Sequence, residues 1–152
     1  MEQDLRVNDT MKTFGYPETL IADYAHWAVL LRPKQPTLGA LVLVCKEPAT
    51  SFSAISEAAF RELKRATSDI ETALADAFAY DKINYLMLMM VDPDVHFHVL
   101  PRYAEDKTFG GVRFPDPGWP RVPDLTQTVD PDEALRDRLI AFLRDRWPAG
   151  HR

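Results

Sequence analysis

From Asp94 to Arg102 the chain reads Asp94-Val95-His96-Phe97-His98-Val99-Leu100-Pro101-Arg102, an alternation with the period of a β-strand. Successive side chains of a strand point to opposite faces. Asp94, His96 and His98 are therefore expected on one surface, and Val95, Phe97 and Val99 on the other. A polar row backed by core settles which way this strand faces and what must pack behind it. His96 and His98 are the close pair among four histidines, the others being His26 and His151. Imidazoles in a row can bind a phosphoryl group, supply a neutral nitrogen nucleophile or hold a metal. The non-chemical reading is a pair of half-buried polar residues satisfied by neighbours.

The remainder of the chain limits what that row can serve. At 152 residues it has the length of one domain. A mean hydropathy of -0.26 indicates a soluble protein, and the longest apolar run, residues 38–45, is too short to span a bilayer. The start, Met-Glu-Gln-Asp-Leu-Arg, lacks the basic and apolar regions of a signal peptide, so a cytoplasmic location away from membranes is expected. Cys45, the single cysteine, sits in an apolar run and reads as a buried, inert thiol. A net charge of -5 argues against long nucleic acid as a partner and leaves room for a small phosphorylated ligand.

Read in order, residues 1–13 are polar and aperiodic and are expected to be a flexible N-terminus, with a single domain over 14–152. Residues 16–21 read as a turn or helix entry, and His26 as a spectator beside the strand that follows. Residues 27–31 and 38–45 form an antiparallel hairpin across a wide turn whose Pro33 and Pro36 block ladder pairing. Arg32 and Lys34 in that turn read as solvated charges in preference to phosphate ligands. Ala59, Leu63, Ala66, Ile70, Leu74 and Ala77 recur at helical spacing behind Ser56 as N-cap. Residues 83–91 read as one continuous apolar strand, central in a sheet or at an interface, joined by a tight Asp92-Pro93 connection to an antiparallel histidine strand. Residues 109–120 read as an ordered loop, either capping the histidines or wrapping the surface. Asp130, with Pro131 at the first helical position, is expected to cap a last helix whose stripe is Leu135, Leu139, Phe142 and Leu143.

The run His96-Phe97-His98-Val99-Leu100-Pro101-Arg102 resembles the signature of the histidine-triad superfamily, His-φ-His-φ-His-φ-φ with φ apolar, and specifically its dinucleoside polyphosphate hydrolase-like branch, where Pro-Arg often follows. The upstream pattern Trp27-Ala28-Val29-Leu30-Leu31-Arg32-Pro33, then Leu38 through Cys45, then Phe52-Ser53-Ala54-Ile55-Ser56 and a helix, extends the resemblance over roughly residues 20–105. It implies an α+β fold, histidine-triad-like, with an antiparallel sheet, two main helices and homodimerisation. It further implies a nucleotide hydrolase or nucleotidyl transferase acting at the α-phosphate of a dinucleoside polyphosphate or phosphoramidate. His96 would be the nucleophile and form a nucleotidyl-histidine; His98 would steady the phosphoryl oxygens; Asp94, Arg102 and Asn84 are the further candidate substrate contacts. No cofactor is required, though a divalent cation can accompany the nucleotide.

Four positions depart from the superfamily pattern. Asp94 stands for the first histidine, Ala40 or Leu41 for a histidine opening the second hairpin strand, and Leu31 for a ribose-binding Asn or Asp. The phosphate-touching loop is read as shrunk to Val91-Asp92-Pro93. Asp94 is expected to slow the site or change its substrate, so that restoring histidine there would raise turnover. Two other function classes stay open: a metal-dependent hydrolase using Asp94, His96 and His98 as ligands, and a non-catalytic nucleotide-binding module.

Overall fold

In the computed structural model, which describes residues 6–148, a short helix α1 (Asp9–Thr13) precedes strands β1 (Leu20–Asp23), β2 (Trp27–Leu31) and β3 (Leu41–Cys45). A long helix α2 (Glu57–Phe78) leads into β4 (Lys82–Leu86) and β5 (His96–Arg102). A small hairpin, β6 (Lys107–Phe109) with β7 (Val112–Phe114), and a last helix α3 (Glu133–Arg146) complete the order. His151 lies outside the described residues. Among the described residues no helix is long and apolar enough to cross a membrane.

Five strands form one antiparallel sheet in the order β1-β2-β3-β5-β4. Its register sorts the side chains into two faces. Trp27, Val29, Leu31, Leu41, Leu43, Cys45 and Val99 meet the apolar stripe of α2, where Ala59, Ala66, Ile70, Ala73 and Leu74 are buried. Ala28, Leu30, Val42 and Val44 point the other way and form a second, smaller cluster with Met11. Every position of β2 and β3 is buried. At about 1.5–3 kcal/mol for each large aliphatic side chain taken from water, this double-sided burial locks the register.

The second face is closed by a segment expected to be flexible. From Asn8 onward the chain is ordered by three attachments. Asn8 caps α1 by accepting from the Met11 N–H and donates to the Cys45 carbonyl at 2.8 Å. Met11 is buried, and Thr10 is bound to Asp94. Polar composition hid this because two of the three attachments are hydrogen bonds and only Met11 is apolar.

Other elements fall where periodicity put them, with local differences. Ser56 caps α2 by accepting from the Ala59 N–H at 3.0 Å, and Ala79 ends the helix in a left-handed conformation. Helix α3 begins two residues later than expected: Asp132, not Asp130, accepts from the Leu135 N–H. The expected loop at 109–120 begins as the β6–β7 hairpin, turned by Gly110 and Gly111, both with positive φ. The apolar run after Ile83 pairs only as far as Leu86, which faces His98 across β5. Met89 then takes a positive φ of 53° and the chain leaves the sheet, so β4 is an edge strand and the connection to β5 spans residues 87–95. Met90 and Val91 are 84% and 90% exposed.

Candidate active site

Strand alternation places His96 and His98 side by side on the face away from α2, opposite Val44 and Val42 of β3. Their ring centroids are 5.2 Å apart with planes near perpendicular. Phe97, on the reverse face, packs among Trp27, Phe52 and Tyr85, which prevents the strand from rotating. Phe14, just after α1, lies 6.2 Å from the His96 ring and 5.6 Å from the His98 ring and walls the site on one side. Both histidines are largely enclosed, at 2% and 9% exposure.

The state of His96 follows from one bond. Its Nδ1 lies 2.7 Å from the Asp94 carbonyl oxygen. A carbonyl only accepts, so Nδ1 carries the proton; in the neutral ring the lone pair is then on Nε2. The backbone at 94 thus orients the ring, whatever the side chain there. The Asp94 carboxylate is engaged elsewhere: its Oδ2 accepts from the N–H and the hydroxyl of Thr10. Asp94 precedes β5 and does not line the cavity before the histidines, whereas Asp92 does.

His98 forms no hydrogen bond among the described residues, and its Nδ1 is buried without a partner. Burial, with help from the nearby Arg32 and His96, pushes its pKa down to about 4. The ring is accordingly neutral at pH 7 and has one N–H to offer.

These two rings open on a cavity of about 190 Å³ whose other walls include Arg32, Phe14 and the 88–92 loop. That volume accommodates a phosphoryl group and falls short of the roughly 300 Å³ at which drug-sized sites begin. A nucleoside bound here must lie along the rim, where Leu88, Met90 and Val91 expose apolar surface. Arg32, read from sequence as a solvated turn charge, is half-buried in this cavity; no local pattern marks it, because the turn's fold brings it in.

Two expected contacts are elsewhere. Arg102 is 3% exposed and clamped by Asp116, with Nε–Oδ2 at 2.7 Å and Nη2–Oδ1 at 3.1 Å, while its Nη1 donates to Asn84 Oδ1 at 2.8 Å. Arg102 and Asn84 border a different, larger cavity of about 830 Å³ beside Trp119 and Arg121, and the 119–123 segment covers that end of the sheet, not the histidines. Two residue steps along one face of a strand separate Arg102 from His98, roughly 13 Å at 3.3 Å per residue. His26 is structural: its Nδ1 meets the buried Glu47 carboxylate at 2.9 Å, which also accepts from Ser56. Among the described residues no three His, Cys, Asp or Glu side chains gather as a metal site, so the ligand trio Asp94, His96 and His98 is not assembled.

No family model and no curated protein sequence matches the chain. Solved structures do. A histidine triad protein from Bradyrhizobium japonicum superposes with a TM-score of 0.73 at 23% identity, covering 95% of this chain and 98% of that one. The chain has the histidine-triad fold. A histidine triad protein from Sinorhizobium meliloti 1021 aligns with a TM-score of 0.73 at 18% identity, over 93% and 96% of the two chains. Plasmodium falciparum diadenosine triphosphate hydrolase aligns at 0.64 and 8% identity, over 95% and 81%. In this histidine-triad fold Leu31 is wholly buried against α2, so the first hairpin strand ends in core and offers no polar group to a ribose. The loop before the histidines is not shrunken: residues 87–95 are long enough to fold over them.

Proposed function

We propose that this protein is a nucleotide hydrolase or nucleotidyl transferase that attacks the α-phosphorus of a nucleoside phosphate derivative with His96. The observation that carries the proposal is the Nδ1–H to Asp94 carbonyl bond, which holds the free Nε2 lone pair in an enclosed cavity beside a second, unpartnered imidazole. In the first step Nε2 forms a bond to phosphorus while the bond from phosphorus to the leaving oxygen or nitrogen breaks, and the leaving group departs with that electron pair, a nitrogen leaving group taking a proton from solvent so that it departs as the neutral amine. Because Nδ1 keeps its proton, the nucleotidyl-histidine is an imidazolium, with its charge stabilised by the Asp94 carbonyl. In the second step water or another acceptor bonds to phosphorus, the N–P pair returns to Nε2 and the acceptor's proton passes to solvent. His98 donates its N–H to a phosphoryl oxygen throughout. The fold relation to a diadenosine triphosphate hydrolase supports a dinucleoside polyphosphate as one substrate class. A divalent cation carried by the substrate meets one carboxylate at the cavity, Asp92.

Incubation with diadenosine polyphosphates and adenosine phosphoramidates, followed by acid-labile nucleotidyl labelling of wild type and His96→Ala, tests the proposal. Label on wild type alone supports it. Equal turnover by the two proteins would sink it.

A further inference from the structure

We infer that Arg32 is the anion-holding residue of the histidine cavity, presenting its guanidinium N–H groups to the oxygens of the substrate's phosphate chain. The inference rests on the phosphoryl chemistry proposed above and adds a residue that lies outside the histidine strand. Arg32 shares the cavity with His96 and His98. Among the described residues its side chain makes a single hydrogen bond, from Nη1 to the Lys34 carbonyl at 2.5 Å, and its Nε is buried with no acceptor. Buried donors without acceptors are rare, and where they occur they mark a site for an ion, a water or a ligand. Among the described residues the guanidinium forms no ion pair or hydrogen bond with a carboxylate: Asp130 acts on it only through space, and Asp92 lines the same cavity without pairing. Arg102 provides the contrast, with a buried aspartate bound to two of its nitrogens. One arginine is thus clamped by a carboxylate for structure, while the other keeps N–H groups without a carboxylate contact.

The turn that carries Arg32 is rigid, so the charge is placed and does not sweep through solvent. Buried Gln35 organises it. Its Oε1 accepts from the N–H groups of Gly39 and Ala40, and its Nε2 donates to the carbonyls of Ala40 and of Arg32 itself, the last at 2.6 Å. The Gln35 backbone is in turn paired with Val129. Gly39, at a φ of +85°, closes the turn where a side chain would strike the Phe78 ring. A planar, permanently charged fork held this way suits bidentate contact with phosphate oxygens.

Inorganic pyrophosphate is the probe, because it needs no base or ribose site. Its binding is followed by the ring-proton NMR signals of His96 and His98 in wild type, Arg32→Gln and Arg32→Lys, each checked for an unchanged thermal midpoint. Wild type should show saturable shifts of both rings. Arg32→Gln should weaken binding roughly ten- to a hundredfold, as expected for losing a charge-assisted pair. Arg32→Lys should recover part of that loss. The His98 pKa should also rise in Arg32→Gln, a response that a purely structural arginine would not produce. Equal pyrophosphate affinity in wild type and Arg32→Gln, or none in wild type, overturns the inference. Nucleotidyl labelling of the same proteins separates the two claims. Label on His96 with Arg32-independent pyrophosphate binding refutes only the arginine's role; Arg32-dependent binding without label supports the anion site and refutes only the covalent chemistry.

Discussion

Asp94 and Thr10 are joined by two hydrogen bonds into one carboxylate oxygen, 3.1 Å from the Thr10 N–H and 2.9 Å from its hydroxyl, across 84 positions of sequence. The Asp94 N–H returns a third to the Thr10 hydroxyl at 3.3 Å. Asp94, which departs from the histidine-triad pattern, is therefore a fastener for α1, and its backbone carbonyl orients His96. Asp94→Ala should cost about 1–3 kcal/mol of stability, the usual range when buried donors lose a charged acceptor. Asp94→His should fail to raise turnover, reversing what the motif alone leads one to expect. Denaturant melts and steady-state rates of the two variants check both outcomes, and a faster, equally stable Asp94→His protein would show the fastening to be incidental.

Loss of the proposed nucleophile is the second prediction. His96→Ala should lower the rate on the order of 10⁴-fold or more, as seen when a covalent residue is removed from a preorganised site. Nucleotidyl labelling of the wild type should persist in excess chelator, since the attacking nitrogen needs no metal for activation in the proposed step. Mass spectrometry of protein quenched with and without chelator provides the reading.

The third concerns acid. His98 has a folded-state pKa of about 4 against an ordinary 6.5. Below 6.5 the unfolded chain takes up this proton first, so the residue's contribution is complete above about pH 6.5 and is lost as pH falls toward 4. Wild type should therefore lose more thermal stability than His98→Asn between pH 7 and pH 4.5. Within pH 5–8 His98→Asn should lower the rate by roughly 10²–10³, the effect of removing one transition-state donor, without changing the shape of the pH profile. A new limb in that profile would mean the ring titrates during turnover.

A fourth prediction separates Arg102 from the chemistry. Its pair with Asp116 is nearly sealed from solvent, with side-chain exposures of 4% and 1%. Arg102→Met strands a buried carboxylate and should destabilise by about 3–5 kcal/mol, whereas Arg102→Met combined with Asp116→Leu should recover much of that. Where the double variant folds, its KM should match that of wild type; a large rise would return Arg102 to the substrate.

Much of this architecture was readable in the chain because long periodic segments declare themselves. The stripe from Ala59 to Leu74 and the alternation from His96 to Val99 each had one consistent solution. Short elements did not: β1 is four residues, β6 and β7 three each, and α1 five. The methionine-rich run was misread as strand because its composition continues past Leu86 while the backbone turns at Met89. At the site, the two histidines were legible from spacing. Asp94 was not, since nothing nearby in sequence reveals that its partner is Thr10. Arg32 escaped for the same reason: its approach depends on the hydrogen bonds of Gln35, and a turn charge that enters a cavity looks in sequence like one that faces water.

Phe14, set against both imidazoles, makes the turn that follows α1 part of the wall of the histidine cavity. If the proposed chemistry operates here, proteolytic nicking between residues 14 and 20 should abolish turnover while leaving His96, His98 and Arg32 intact.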